Sequence, residues 1–293
     1  MSYRPIRNSG QLCPAAVRFQ SCAPPADLGE WVQEFWQYDV LPGFALVPIQ
    51  VFPSGCVVLR FDVRPDGVDS ILYPPSSSPE MKSVFRRGVS VFGAALRVGR
   101  ACPVLGCGIP ELGSRRIGLD DVWSRPLDSL EERLFLARGF PARVEVLAEA
   151  LRPVLDAPDC GVRDFGPRLD VALSGEDSPW ARRRPLSDRT LRRHFGRYVG
   201  HSPKQLQRIV RVQSAMRFLA GSSLSLTQVA HASGFSDQSH LNREFVRLVS
   251  MTPGFFRRSL GRFHEAGLPI WAEVPFLREL GAVPSSGRPS VGY

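Results

Sequence analysis

An internal repeat at an offset of 50 residues constrains the fold of this chain more than any other feature. Asp188–Phe195 aligns with Gln238–Phe245, so that a leucine, an arginine and a phenylalanine recur at matching positions. Further along, Ser202-Pro203 matches Thr252-Pro253. In both copies the apolar residues have the spacing of one helix face. The sequence therefore predicts two copies of one helical unit in the C-terminal third of the chain.

The residues between and around the two copies are punctuated by helix start and stop signals. Ser202-Pro203 supplies a cap followed by proline at the first helical position. Ser225 with Gln228 forms a capping box that opens a short helix, which Gly234 ends after two turns. Ser236 is then expected to cap a helix over Asp237–Val249. A short helix, a turn with glycine and a second helix form a helix-turn-helix, whose second helix enters the major groove of DNA.

Charge is concentrated in the same segment. The net charge of the chain is +9. Residues 1–160 have 17 basic and 18 acidic side chains (net −1), residues 161–262 have 18 and 7 (net +11), and residues 263–293 have 2 and 3 (net −1). The whole excess therefore lies in about a hundred residues, which is the electrostatic pattern of a nucleic-acid-binding domain.

The first half of the chain is mixed. Short β-branched stretches bounded by Pro/Gly turns predict strands, and apolar residues at helical spacing predict helices. The predicted strands are Ala45–Phe52, Cys56–Val63, Ser70–Tyr73 and Val89–Arg97, and the predicted helices are Leu28–Tyr38, Leu127–Leu136 and Ala142–Leu155. The expected fold class is α+β: a small β-rich, barrel-like or half-barrel-like N-terminal domain with helices, followed by an all-α double helix-turn-helix domain.

Composition divides the chain into four parts. We expect a regulatory or sensor domain over residues 1–155, a linker or degraded supporting helices over 156–185, a DNA-binding domain over 186–262 and a partly mobile tail over 263–293. Residues 156–185 and 263–293 are rich in Pro and Gly, which is typical of connecting segments.

The motifs of the C-terminal segment resemble those of a known family. Gly200–Lys204, Ala230–His240, Phe245 and Thr252-Pro253 together are similar to the DNA-binding domain of AraC-type transcription regulators. The resemblance implies seven helices that form two helix-turn-helix units joined by a linker helix. It covers residues 186–260 closely. It also implies that the chain regulates transcription by binding specific DNA sequences.

The N-terminal half resembles, more loosely, a domain that often precedes this DNA-binding domain and has no established ligand. Phe35-Trp36, Phe52–Leu59, Gly93–Gly99 and Leu119–Trp123 carry that resemblance.

One part of the family pattern is altered in this sequence. Pro179 and Pro185 leave too short a stretch for the helix that supports the first recognition helix. That helix is therefore either the upstream Arg168–Leu173 or degraded.

The candidate DNA-binding residues lie on the predicted recognition helices, opposite their apolar faces. Arginine can bind guanine bidentately, and asparagine or glutamine can bind adenine. On the first helix Arg197 is better placed for phosphate. The full set is Arg189, Arg192, Arg193, Arg197, Gln238, Ser239, Asn242 and Arg243.

Two other classes of function stay open. One is a non-specific or architectural DNA-binding protein, and the other is a DNA-associated enzyme or thiol sensor. Against an enzyme, residues 1–160 contain no histidine, and the chain has no nucleophile elbow, Walker loop or dinucleotide fingerprint. We therefore expect no catalytic residues, no metal and no cofactor.

The expected partner is double-stranded DNA, and the expected location is the cytoplasm, because no apolar run is long enough to span a membrane. RNA polymerase, a small-molecule effector and a second copy of the chain are candidate further partners.

Overall fold

A computed structural model describes residues 2–3, 17–40, 46–50, 53–76, 82–113, 116–123, 127–155, 169 and 188–264. Within these residues the first half of the chain forms an antiparallel sheet of seven strands and a separate two-stranded ribbon. The sheet order is β1-β2-β3-β8-β5-β6-β9, and the ribbon is β4-β7. The strands are β1 Ser2–Tyr3, β2 Val17–Cys22, β3 Val32–Val40, β4 Leu46–Gln50, β5 Val58–Arg64, β6 Gly67–Tyr73, β7 Lys82–Arg86, β8 Ser90–Leu96 and β9 Ile117–Gly118.

The centre of the sheet is β8, which pairs with β3 on one side and β5 on the other. Its residues after Ser90 are all buried, which is why this strand is a continuous run of apolar and small residues rather than an alternating one. The two-residue turn Pro65-Asp66 joins β5 to β6, with Arg64 opposite Gly67. The four strands that the sequence predicts after residue 45 are present as β4, β5, β6 and β8. The sheet also contains β1, β2 and β3, which come earlier in the chain.

The predicted helix over Leu28–Tyr38 is wrong. The chain instead makes a short 3-10 turn over Ala26–Leu28 and then enters β3. Because β3 lies between β2 and β8 and is covered on both faces, its large residues are buried whichever way they point: Phe35 is 0% exposed and Tyr38 6%. Burial on both faces removes the alternation that marks a strand, and the remaining spacing imitates a helix.

Three helices follow the strands of the sheet or pack against them: α1 Cys102–Leu105, α2 Asp128–Leu136 and α3 Gly139–Leu155. α2 contacts β5 and β6, and α3 contacts β3. The two longer helices agree with their prediction, with Pro141 in the first turn of α3.

The C-terminal part consists of helices α4 Asp188–Val199, α5 Pro203–Gly221, α6 Leu226–Ala232, α7 Gln238–Val249 and α8 Pro253–His264. Ser225 forms the predicted capping box with Gln228, and Ser202, which was predicted only as a cap, forms a capping box with Gln205 as well. The backbone N–H of Phe255 donates to Oγ1 of Thr252 at 3.2 Å, which caps α8. The α+β fold class is thereby confirmed.

The helical part is not separate from the sheet. Phe195, Val199 and Leu206 belong to the same buried cluster as Ile109 and Val98 of the first half. The side-chain amide of Gln213 on α5 donates to the carbonyl oxygen of Pro53 at 2.8 Å. The end of α4 and one face of α5 are therefore packed against the N-terminal half.

The predicted linker, the candidate supporting helix Arg168–Leu173 and the predicted tail lie almost entirely outside the described residues.

Candidate nucleic-acid interface

The second helix-turn-helix consists of α6, the turn over residues 233–237, and α7. Gly234 has a positive φ of 77°, a conformation that a side chain strains. The N–H of Phe235 donates back to the carbonyl of Ala230 at 2.9 Å, which ties the turn to α6. This local geometry sets the direction in which α7 leaves the turn.

The cap of α7 differs from the prediction. Asp237, and not Ser236, is the cap: its Oδ1 accepts the N–H of His240 at 2.7 Å. Ser236 donates its hydroxyl to Oδ2 of Asp237 at 3.1 Å. The backbone hydrogen bond from His240 and the bond from Ser236 lower the pKa of Asp237. A carboxylate is a stronger acceptor than a hydroxyl at a helix N-terminus, where it also meets the positive end of the helix dipole.

One face of α7 is fixed in the core. Leu241, Phe245 and Leu248 are buried, and the ring of Phe245 meets that of Phe256 on α8 with centroids 5.4 Å apart. This packing holds α7 by its apolar stripe and leaves the opposite face in solvent.

The predicted base-contacting residues of α7 lie on that opposite face or at its margin. Ser239 and Arg243 are exposed, and Gln238 and Asn242 are half-buried. Gln238 is also tied to the supporting helix, because its Oε1 accepts the hydroxyl of Thr227 at 3.0 Å. Ser239 and Arg243 are one helical turn apart, and both side chains are exposed to solvent.

The sequence reasoning missed one residue of this face. Val246 is 44% exposed, although it is apolar and lies seven residues after Ser239, on the same side of α7. An apolar side chain on a recognition helix can contact the methyl group of thymine. The sequence alone could have identified Val246, because the helical periodicity that places Leu241 and Phe245 in the core places Val246 on the opposite face of α7.

The predicted residues of the first recognition helix are also on its surface. Arg189, Arg192 and Arg193 are exposed on α4. Arg197 is exposed as well, but it lies where α4 meets the N-terminal half. Its carbonyl accepts a 3.8 Å contact from Sγ of Cys102, and its guanidinium lies 5.9 Å from the ring centroid of Tyr198.

The described residues contain no group of three or more His, Cys, Asp or Glu side chains that could hold a metal ion. Among the same residues, no helix has both the length and the apolar character needed to cross a bilayer.

Comparison with known proteins agrees with this geometry. A family model described as a helix-turn-helix domain matches residues 180–259. The transcriptional regulator GlxA of Rhizobium meliloti is 40% identical over 81 residues, which are 28% of this chain and 25% of GlxA. The activator RhaS of Pectobacterium carotovorum is 36% identical over 69 residues, or 24% of this chain and 25% of RhaS. The chain thus matches about a quarter of the length of these relatives.

A longer match is to the ornithine utilization regulator of Pseudomonas aeruginosa, which is 31% identical over 255 residues, 80% of this chain and 71% of that protein. Among solved structures, ToxT from Vibrio cholerae O395 aligns with 83% of this chain and 97% of its own, at 9% identity and a TM-score of 0.36.

A buried apolar stripe, a capped recognition helix and a polar exposed face define a helix-turn-helix DNA-binding protein. The match to the ornithine utilization regulator extends over most of the chain and establishes the family. This protein belongs to the AraC-type helix-turn-helix transcription regulators.

Proposed function

We propose that the protein regulates transcription by reading a specific DNA sequence with α4 and α7, each in the major groove. The observation that carries this proposal is the outer face of α7, where Ser239, Arg243 and Val246 project beside a fully buried stripe. A donor that can bind guanine and an apolar side chain that can contact thymine together provide a means of telling base pairs apart.

In this proposal, Arg189, Arg192 and Arg193 act from α4, while Gln238, Ser239, Asn242 and Arg243 act from α7. Two recognition helices in one chain would contact major-groove segments about one helical turn apart, on the spacing of paired helix-turn-helix units. The excess of arginine supplies salt-dependent affinity.

We propose that the N-terminal part, residues 1–155, changes the affinity of the helical part for DNA. In support, residues of its sheet belong to the same buried cluster as residues of α4 and α5. Binding of a small-molecule effector, pairing with a second copy and contact with RNA polymerase stay predictions. As a regulator of transcription the protein would work in the cytoplasm beside the chromosome, and without catalytic chemistry of its own.

The test is a selection from random DNA fragments by the purified full-length protein at physiological salt. We expect enrichment of a two-part motif with halves about ten base pairs apart. A single half would mean that α4 does not read bases, and the absence of any motif would leave a non-specific binder.

Arg243→Ala tests the reading face directly. Loss of a bidentate contact to one base should cost about 1–3 kcal/mol and relax the preference at a single position of the motif. Arg87→Ala, in the exposed turn between β7 and β8, is the matched control and should leave the motif intact. If Arg243→Ala selects the same bases as the wild type at every position of the motif, Arg243 does not contact a base.

A further inference from the structure

A basic groove runs between α5 and α7, beside the reading face. Each helix contributes three side chains at positions i, i+4 and i+7, which lie on one face of a helix. The groove encloses about 410 Å³. Its lining residues are Lys204, Arg208 and Arg211 from α5, and His240, Glu244 and Arg247 from α7.

The single carboxylate of the groove is already engaged. Nε and Nη2 of Arg208 donate to the two oxygens of Glu244 at 2.5 and 2.9 Å. Partial burial acts to raise the pKa of Glu244, but the hydrogen bond and the charge of Arg208 outweigh it, so the pKa is lowered and the pair stays ionised. The pair joins the two helices across the floor of the groove.

Arg211 is likewise held in place. Its Nη1 donates to the carbonyl of Gly234 at 3.3 Å, and its guanidinium lies 5.8 Å from the ring centroid of Phe235. At the groove's other end, Lys204 and Arg247 are exposed, and neither forms a hydrogen bond or close ion pair with a residue that the structure describes. The charge of Arg247 still helps to lower the pKa of Glu244 at longer range. Four cations against one carboxylate leave a net charge of +3, without counting His240.

The end of the groove with Lys204 and Arg247 is formed by the first turn of α5 and the last turn of α7. Lys204 is in the first turn of α5, which begins four residues after α4 ends at Val199. Arg247 is one turn beyond Arg243 on α7. Free N–H groups at the start of α5 add to the positive potential there.

We propose that this α5–α7 groove binds phosphate groups of the DNA backbone, with Lys204 and Arg247 as the two contacting side chains, between the segments that α4 and α7 occupy. The proposal rests on the proposed function, because it uses the docking of α7 in the major groove. A phosphate strand borders that groove, and Arg247 is displaced from the base-contacting Arg243 by one helical turn, about 5.4 Å along the axis.

The experiment compares the wild-type chain with Lys204→Gln/Arg247→Gln by measuring affinity for DNA from 50 to 200 mM salt. Each phosphate contact contributes about 0.9 to the slope of log affinity against log salt. We expect the double variant to lose about 1.8 of that slope, so that its affinity falls roughly twelvefold less than that of the wild type over this range. Its base preferences should stay those of the wild type.

Arg86→Gln/Arg87→Gln, which replaces two exposed arginines at and beside the turn between β7 and β8, removes the same two charges, so it is the control for a change in net charge and should keep the full slope. Melting temperatures of all variants should agree, since the replaced side chains are exposed. A double variant with wild-type slope would overturn the groove proposal, while the selected motif and the effect of Arg243→Ala would still stand.

Two other occupants would show different results, and both would overturn the proposal. If the groove takes free phosphate compounds, pyrophosphate will raise the melting temperature of the wild type but not of the double variant, with no change in slope. If it takes an acidic protein, the double variant will bind DNA normally and lose only transcriptional output. If the wild type selects no motif, the reading proposal fails, and the slope on random-sequence DNA still tests the groove.

Discussion

At the scale of single residues, the most informative side chain is that of Asp237, which caps the recognition helix α7. Its carboxylate accepts a backbone N–H and a hydroxyl, and these bonds lower its pKa. Because the folded pKa lies below the unfolded value, the stabilisation from the charged form is complete above the unfolded pKa and is lost as pH falls through the folded one.

We therefore predict that the wild type loses stability below about pH 4 relative to Asp237→Asn, which keeps a capping oxygen but cannot ionise. Thermal melts from pH 7 to pH 3 measure this difference. Asp237→Ala, which removes the cap, should be less stable than Asp237→Asn at neutral pH. A difference between wild type and Asp237→Asn that does not change with pH would contradict the role of the charge.

The cap also shows how far local sequence signals reach. Ser236 and Asp237 are both good capping residues and are adjacent, and the prediction of Ser236 as the cap was wrong. The turn from Gly234 decides between the two, because it places the carboxylate and not the neighbouring hydroxyl opposite the N–H of His240. Val246 is the opposite case, since helical periodicity would have placed it on the reading face.

At the scale of elements, glycine has opposite roles in two parts of the C-terminal half. Gly234 has a positive φ, and a Cβ there would lie 3.4 Å from Cδ of Arg211. Gly196 lies within α4, and a Cβ there would meet nothing within 4 Å. The same substitution should therefore have opposite effects on stability.

We predict that Gly234→Ala lowers the free energy of unfolding by about 1–2 kcal/mol, the cost of a left-handed residue with a side chain. Gly196→Ala should raise it by about 0.5–1 kcal/mol, because alanine loses less backbone entropy in a helix. Urea unfolding followed by circular dichroism measures both. If both substitutions change the free energy of unfolding in the same direction, either Gly234 does not need its positive φ or Gly196 does not lie inside a helix.

The elements that sequence predicted well are those with their own start and stop signals. α5 and α6 begin at capping boxes, and α8 at Thr252-Pro253, as the sequence indicates. β3 was missed because its pattern reflects pairing with β2 and β8, which are distant in sequence. Its two-sided burial is a tertiary property that no local window contains.

At the scale of the whole molecule, the DNA-binding helices share their core with the sheet half. Leu206 on α5 is 0% exposed, and a Cβ built at Gly55 would lie 2.6 Å from its Cδ1. Leu248 on α7 is also buried, in a second cluster that consists mainly of residues from α5 to α8 and that Tyr38 and Val91 of the sheet also join. Leu206 and Leu248 therefore belong to two different clusters, the first built mainly from residues of the first half and the second mainly from helical residues.

Two signals can follow the halves of the molecule independently. All six cysteines lie in residues 1–160, and Cys56 and Cys102 are buried, so the reactivity of thiols during urea unfolding reports on the first half. Circular dichroism at helical wavelengths reports mainly on the second half. In the wild type the shared core should make the two signals change at the same urea concentration.

We predict that Leu206→Ala, at a cost of about 2–5 kcal/mol, separates the two transitions, because it removes a side chain that both halves pack against. Leu248→Ala should lower the common midpoint by a similar cost and leave the signals coincident. If Leu206→Ala keeps one transition, Leu206 is not required for the coupling, and the contacts of Gln213, Tyr38 and Val91 hold the halves together without it. If the wild type already shows two transitions, the sheet half and the DNA-binding helices unfold independently, and the sheet half would then have to act on DNA binding by some route other than the shared core.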